Sequence, residues 1–139
     1  MKKTGFHAMA TLVLLTSLFA VLTSFRGYPA GQQEPVWEDL AGNIGPYKVF
    51  MHINCTADPG EKCGYYYYKD RPASKFTLVM VSNENALAGS QMTVKELSPQ
   101  GRHTGTFKGY FSTRGINFSG TFTNTRTKKQ FKFELLEAE

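Results

Sequence analysis

The sequence lacks the short motifs that mark many enzymes. It has no G-x-S-x-G turn, no H-E-x-x-H pair and no glycine-rich phosphate-binding loop, which are typical of hydrolases, metalloproteases and nucleotide-binding enzymes. It contains only three histidines and two cysteines. His52 and His103 are the histidines beyond the N-terminal region, and neither lies at a characteristic spacing from an acid and a nucleophile. These absences argue against a metal site, and the sequence implies no cofactor and no catalytic residue.

A long apolar run is also absent beyond the N-terminal region. The one extended apolar stretch, 8–22, follows the basic residues of 1–3 and is shorter than the about 20 residues that a membrane-spanning helix needs. Small residues suited to cleavage follow at Ala20 and Ser24. This order predicts a signal peptide at 1–24 and a periplasmic or secreted protein with no membrane span in the mature chain. The alternative is an uncleaved N-terminal anchor.

Neither sign of charge is in large excess. The formal net charge of +5 falls to +3 because Lys2 and Lys3 leave with the predicted signal peptide, which carries no acid. Mild, scattered charge does not call for a nucleic-acid partner, and none is expected. The densest basic segment, 126–129, is interpreted as a solvated turn, and the alternative is an anion-binding patch that it forms together with Arg114 and Lys108.

Helical periodicity is missing from the mature chain, where no window of about 11 residues repeats its apolar positions every 3.6 residues. After a Gly-, Pro- and Gln-rich linker at 25–35, the domain 36–139 instead alternates apolar and polar residues with a period of two, as strands do. Seven strands are predicted at 47–54, 64–69, 75–82, 91–97, 104–112, 116–123 and 130–136. The region around Trp37 is predicted to be a short strand or one helical turn, and Gly42, Gly45 and Pro46 are interpreted as breaks that follow it.

Short turns separate these strands, which favours antiparallel neighbours because parallel pairs need long crossovers. Closure into a barrel hides the edges of such a meander. We therefore predict an all-β, up-and-down barrel of seven or eight strands, with a two-sheet sandwich as the runner-up. Two segments, 104–109 and 119–124, echo each other around glycines that fall on an apolar face, which indicates bends or close backbone approach.

Cys55 and Cys63 bracket a turn signal at 58–60. A hairpin there brings the two cysteines near each other, and an exported chain meets an oxidising compartment. We expect a structural disulfide between them. A metal site needs more ligands than the chain offers, and a redox motif has its cysteines closer together.

Four consecutive tyrosines follow the second cysteine. Tyr65 and Tyr67 lie on one face of the predicted strand, and Tyr66 and Tyr68 on the other. Cross-strand packing is the favoured interpretation, and a surface that binds a sugar, a peptide or an apolar ligand is the alternative.

Glu96 is the one acid that shares a strand face with apolar neighbours, Met92 and Val94. If that face is internal, the carboxyl group is buried and needs a partner or a raised pKa. A perturbed acid inside a barrel is a candidate binding residue, and the alternative is a strand-end residue at the barrel mouth.

Four segments carry a resemblance to known proteins: 64–68 (Gly-Tyr-Tyr-Tyr-Tyr), 104–109 (Thr-Gly-Thr-Phe-Lys-Gly), 118–122 (Phe-Ser-Gly-Thr-Phe) and 131–133 (Phe-Lys-Phe). With these, the chain resembles small exported bacterial domains of uncharacterised function. The Gly-Thr-Phe repeats are also similar to strands of avidin-like and lipocalin-like barrels. Avidin-like pockets are walled by several tryptophans, whereas this chain has one, so biotin binding is not implied.

The leading functional hypothesis is a non-catalytic binding protein that uses the barrel mouth or the aromatic strand for a small ligand or a protein partner. One alternative is an inhibitor of a secreted or host enzyme, such as a lysozyme or a protease, because exposed turns on a rigid barrel suit that role. The other is a hydrolase that uses Glu96 with His52 or His103.

Overall fold

The computed structural model of the protein describes residues 34–84 and 89–139. The predicted signal peptide, 1–24, and residues 25–33 of the predicted linker lie outside this part of the chain. The described residues form eight strands: β1 Trp37–Ile44, β2 Tyr47–Asn54, β3 Lys62–Tyr68, β4 Phe76–Asn83, β5 Ser90–Leu97, β6 His103–Ser112, β7 Asn117–Asn124 and β8 Gln130–Glu137. No helix among the described residues has the length and apolar character to cross a bilayer.

Each strand pairs antiparallel with the next, and β8 pairs with β1 to close the barrel. The predicted up-and-down barrel is confirmed, and the sandwich is not formed. Closure leaves no unpaired strand edge, which is the physical advantage on which the prediction depended.

Strand β1 is longer than the sequence suggested. Gly42 was interpreted as a break, yet it lies inside the strand opposite Leu135 of β8. A Cβ atom at Gly42 would collide with the carbonyl oxygen of Glu134. The glycine therefore allows β8 to approach closely and does not end the strand.

The predicted parity of the strands is confirmed by burial. The inward side chains of the described strands fill the interior, and the fully buried aromatic members include Tyr66, Phe107 and Phe118. The ring of Phe107 lies 5.3 Å from that of Tyr66 and 4.8 Å from that of Phe122, measured between centroids. The centre of the barrel is therefore a packed core, as in other small barrels.

Gly109 and Gly120 lie directly opposite each other on β6 and β7. A Cβ on Gly109 would collide with the carbonyl oxygen of Ser119, and a Cβ on Gly120 with that of Lys108. The close backbone approach predicted from the repeated Gly-Thr-Phe segments is confirmed.

In an up-and-down barrel, every second connection between strands lies at the same end. The connections 45–46, 69–75, 98–102 and 125–129 form one end, which we call the mouth. The opposite end carries the connections 55–61 and 113–116, with the entry to β1 and the exit from β8. Both cysteines and Trp37 lie toward this opposite end.

Candidate functional site

The cysteines are not joined. Cys55 and Cys63 are both buried free thiols, so the predicted disulfide is wrong. Ile53 of β2 lies opposite Gly64 of β3, so Cys55 and Cys63 are offset by one residue across these two strands. In the pairing of β3 with β4, a β-bulge falls at Cys63. Burial raises the pKa of each thiol to about 12, so both are protonated and poorly reactive at neutral pH.

The tyrosines of β3 divide as their parity predicted. Tyr66 is fully buried and Tyr68 is half-buried on the inner face. Tyr65 and Tyr67 lie outside, where Tyr67 stacks on Phe50 with 5.3 Å between ring centroids. The sequence left open which pair faces inward, and the register of β3 against β2 decides it.

The outer tyrosines belong to a strip of aromatic rings across β1, β2 and β3. Trp37 stacks on His52 with centroids 4.7 Å apart and an interplanar angle of 8°. His52 in turn lies 5.4 Å from Tyr65, whose ring carries the Nζ atom of Lys75 at 4.5 Å. Asp39 fixes the His52 ring, since its Oδ1 lies 2.6 Å from Nδ1. These contacts support the interpretation as cross-strand packing.

Glu96 lies inside the barrel, with 3% of its surface exposed. Tyr66 donates a hydrogen bond to its Oε2, and Thr104 donates one to its Oε1. Among the described residues, no buried side-chain nitrogen or oxygen lacks a hydrogen-bond partner. The buried polar group is therefore fully satisfied, as the cost of burying an unpaired carboxyl group requires.

Burial raises the pKa of the Glu96 carboxyl group above its ordinary value of 4.5. The hydrogen bonds from Thr104 and Tyr66 and the nearby His103 act in the other direction, and burial is the larger effect. The pKa of the Tyr66 hydroxyl is also raised, by burial and by the charge of Glu96. Burial therefore favours the neutral carboxyl group, and the hydrogen bonds from Tyr66 and Thr104 only partly offset this effect.

Tyr68 extends this cluster toward the mouth. Its ring meets that of Tyr66 edge to face, with centroids 5.7 Å apart. Burial raises the pKa of Tyr68, and its contact with the Tyr66 hydroxyl lowers it by less. Tyr68 also lines the cavity described next, so it links the buried carboxyl cluster to a space that a ligand can reach.

A cavity of about 630 Å³ opens at the mouth. This size falls in the range of small-molecule pockets, roughly 300–1,000 Å³. Its apolar wall consists of inward-facing side chains at strand ends: Ile44, Tyr47, Tyr68, Phe76, Phe122 and Phe131. Tyr47 contacts both Tyr68 and Phe131 edge to face, at 5.8 and 6.4 Å. The aromatic wall is thus a connected group of rings.

The polar part of the cavity is cationic. Arg71 and Lys129 line it with hydroxyl and amide side chains such as Ser74 and Asn124, and none of the described acids lines it. Nε of Arg71 lies 3.8 Å from Oδ1 of Asp70, and both side chains are exposed. An ion pair this long and exposed is weak, so it leaves Arg71 available to a ligand.

Of the predicted site residues, only Tyr68 lines this cavity. Tyr66 and Glu96 lie beneath it, and Tyr65 and Tyr67 lie on the outer surface. The sequence analysis missed the rest of the wall, although a signal existed: inward-facing aromatic residues recur where strands begin or end at the mouth, as at Tyr47 and Phe131.

The hydrolase hypothesis needs Glu96 beside a histidine. His52 lies on the outer face of β2, bonded to Asp39. His103 begins β6, and its Nε2 atom lies 2.9 Å from the carbonyl oxygen of Gly105 and 3.0 Å from Oγ1 of Thr106. Neither histidine is hydrogen-bonded to Glu96. No group of three or more His, Cys, Asp or Glu side chains within 34–84 and 89–139 is arranged to hold a metal ion.

A second, smaller cavity of about 210 Å³ lies at the opposite end, beside Cys55 and Ile116.

Comparison of the chain with protein-family models, curated proteins and solved structures finds no match. The resemblance to small exported bacterial domains therefore stays a prediction, and the candidate site depends on its own geometry.

Proposed function

We propose that this protein is an exported, non-catalytic binding protein that holds a small ligand with an apolar body in the mouth of its barrel. The observation that carries the proposal is the 630 Å³ cavity, whose wall is a connected group of aromatic rings at strand ends. A concave, largely apolar space with a few polar groups is the usual form of a small-molecule site.

The packed core limits how deep such a ligand reaches. Phe107 and Phe118 are fully buried below the mouth, with ring centroids 6.5 Å apart. Removing these rings from the centre would leave unfilled space that the fold does not tolerate cheaply. The ligand accordingly occupies the end of the barrel, against Tyr68 and Phe131, and not a central lumen.

The outer aromatic strip is a weaker candidate for the site. The rings of Trp37 and His52 are stacked and nearly parallel, so each already covers one face of the other. The Lys75 ammonium group covers Tyr65 in the same way. The strip also lies on a convex surface, whereas the mouth encloses a ligand from several sides.

Titration with the neutral dye N-phenyl-1-naphthylamine tests the proposal. We expect saturable binding to one site, reported by dye fluorescence. Trp37 is not a useful reporter, because it lies toward the opposite end and is 48% exposed.

Two tryptophan variants assign the site. Ser74→Trp places a large ring in the cavity that Ser74 lines and should weaken dye binding at least about tenfold, the effect of about 1.4 kcal/mol. Gln91→Trp, on an exposed position of β5, is the matched control and should leave binding unchanged. Absence of dye binding, or equal binding by both variants, would contradict the proposal.

A further inference from the structure

Charge is segregated between the two ends of the barrel. The mouth connections 69–75, 98–102 and 125–129 together carry seven lysines and arginines and one acid, Asp70. The opposite end has the reverse balance: its described connections, which include Glu84 after β4, and its chain ends carry five acids and one arginine, Arg114. The overall net charge of the chain does not reveal this separation, because the positive charge of the mouth and the negative charge of the opposite end largely cancel.

The cationic end is also the end that holds the cavity. Arg71 and Lys129 reach the cavity itself, and Arg102 and Arg126 line a polar groove of about 460 Å³ beside it. Within 34–84 and 89–139, no acid lines either space. A cleft lined by charges of one sign focuses the field and concentrates ligands of the opposite sign.

The two cations of the cavity lie on different connections, Arg71 between β3 and β4 and Lys129 between β7 and β8. The aromatic wall occupies the strand ends between them, and Arg71 lies over the Tyr68 ring at 5.6 Å. An acidic group at the rim therefore meets positive charge while the attached body packs against Tyr68 and Phe131. Rings in such a wall prefer edge-to-face contact with another ring.

We propose that the mouth selects organic anions, specifically a flat apolar body that carries one carboxylate. This inference rests on the proposed binding at the mouth and adds the chemical class of the ligand. The apolar body supplies contact with the aromatic wall, and the carboxylate supplies the selectivity through Arg71 and Lys129. Arginine is suited to this role because its guanidinium group matches the geometry of a carboxylate.

Three naphthalene probes of similar shape test the inference by calorimetry: 1-naphthoate, 1-naphthamide and 1-naphthylmethylammonium. We expect the carboxylate to bind at least about tenfold more tightly than the amide, and the cation to bind more weakly than the amide. The preference should fall as salt is raised from about 0.01 to about 1 M, because the Debye length shrinks from about 30 to about 3 Å.

Charge-removing variants assign the preference to the mouth. Arg71→Gln with Lys129→Gln should bring the carboxylate and the amide to nearly equal affinity while leaving the affinity for the amide in place. Arg114→Gln, at the opposite end, is the matched control and should keep the full preference.

The outcomes separate this inference from the function on which it rests. Equal binding of the carboxylate and the amide would overturn the anion inference and leave the binding site standing. A preference that survives the double substitution would overturn the assignment to Arg71 and Lys129. Failure of all three probes to bind would count against the proposed function as well.

Discussion

The Tyr66 hydroxyl donates a hydrogen bond to the Oε2 atom of Glu96 in the interior of the barrel. The two residues come from β3 and β5, which are separated in the sheet by β4, so their side chains meet inside the barrel and not as strand neighbours. This pair places a polar cluster directly under the aromatic wall of the mouth, and several measurable properties follow from it.

Replacing Glu96 with glutamine should change how stability depends on pH. The folded-state pKa of Glu96 is raised, so the folded protein binds more protons than the unfolded chain above the ordinary value of 4.5. Stability is therefore highest below that pH and falls as the pH rises toward the folded-state pKa, with a slope of at most about 1.4 kcal/mol per pH unit. Glu96→Gln should remove this pH-dependent loss, so its stability should change less with pH above 4.5 than that of the unaltered protein.

Urea denaturation between pH 4 and pH 8 measures the difference between the two proteins. Glu134→Gln, on the exposed outer face of β8, is the control and should follow the pH profile of the unaltered protein. Parallel profiles for Glu96→Gln and the unaltered protein would show that Glu96 does not titrate abnormally in the folded state.

Removing the Tyr66 hydroxyl should destabilise the fold. Tyr66→Phe leaves one oxygen of a buried carboxyl group without its donor, which costs about 1–3 kcal/mol. Tyr67→Phe removes a hydroxyl from the outer surface of the same strand and should change stability by less than about 0.5 kcal/mol. Equal effects of the two substitutions on the free energy of unfolding would be inconsistent with the buried hydrogen bond.

A double-mutant cycle isolates the contact itself. Tyr66→Phe combined with Glu96→Met, whose side chain has no oxygen to accept the hydrogen bond, should show a coupling energy of about 0.5–3 kcal/mol, as residues in one hydrogen-bond network do. Additive effects would mean that the two side chains do not interact.

The cysteines should behave as buried free thiols. Alkylation without reductant should leave the folded protein unlabelled, because Cys55 and Cys63 are both 1% exposed or less. The same reaction in denaturant should add two groups, which intact mass measures. A protein that gains no label in denaturant until a reductant is added would instead contain a disulfide.

Phe107 should be among the most sensitive core positions. It contacts rings from three other strands, including Tyr66 and Phe133 at 5.3 Å. Phe107→Ala should cost about 3–5 kcal/mol through the cavity that it leaves. Phe50→Ala, in the outer strip of β2, is the comparison and should cost less, because Phe50 is only partly buried. The free energies of unfolding from denaturant titrations decide between them.

The fold was predictable because alternation and short turns act locally. The period of two along β2 and β8 revealed both the strands and their two faces. The same rule placed Glu96 on the face of Met92 and Val94, which the structure shows to be internal. The extent of β1 was predicted wrongly at Gly42, because the sequence does not distinguish a glycine that permits a close approach of two strands from one that ends a strand.

The site was less predictable because it depends on how distant strands are paired. The disulfide was expected from proximity in a hairpin, but the register of β2 against β3 offsets Cys55 from Cys63 by one residue. Phe131 of β8 reaches Tyr47 of β2 only because β8 closes onto β1. The cationic mouth likewise appears only when the connections are sorted by the end of the barrel that they occupy.

The measurement that tests the central claim most directly is a two-dimensional amide NMR titration of the protein with 1-naphthoate. The account predicts saturable shifts for residues that line the mouth, such as Tyr47, Tyr68 and Phe131, and none for residues around the small cavity at the opposite end, such as Cys55 and Ile116. Shifts confined to the opposite end or to the outer strip at Trp37, or no shifts at all, would contradict it.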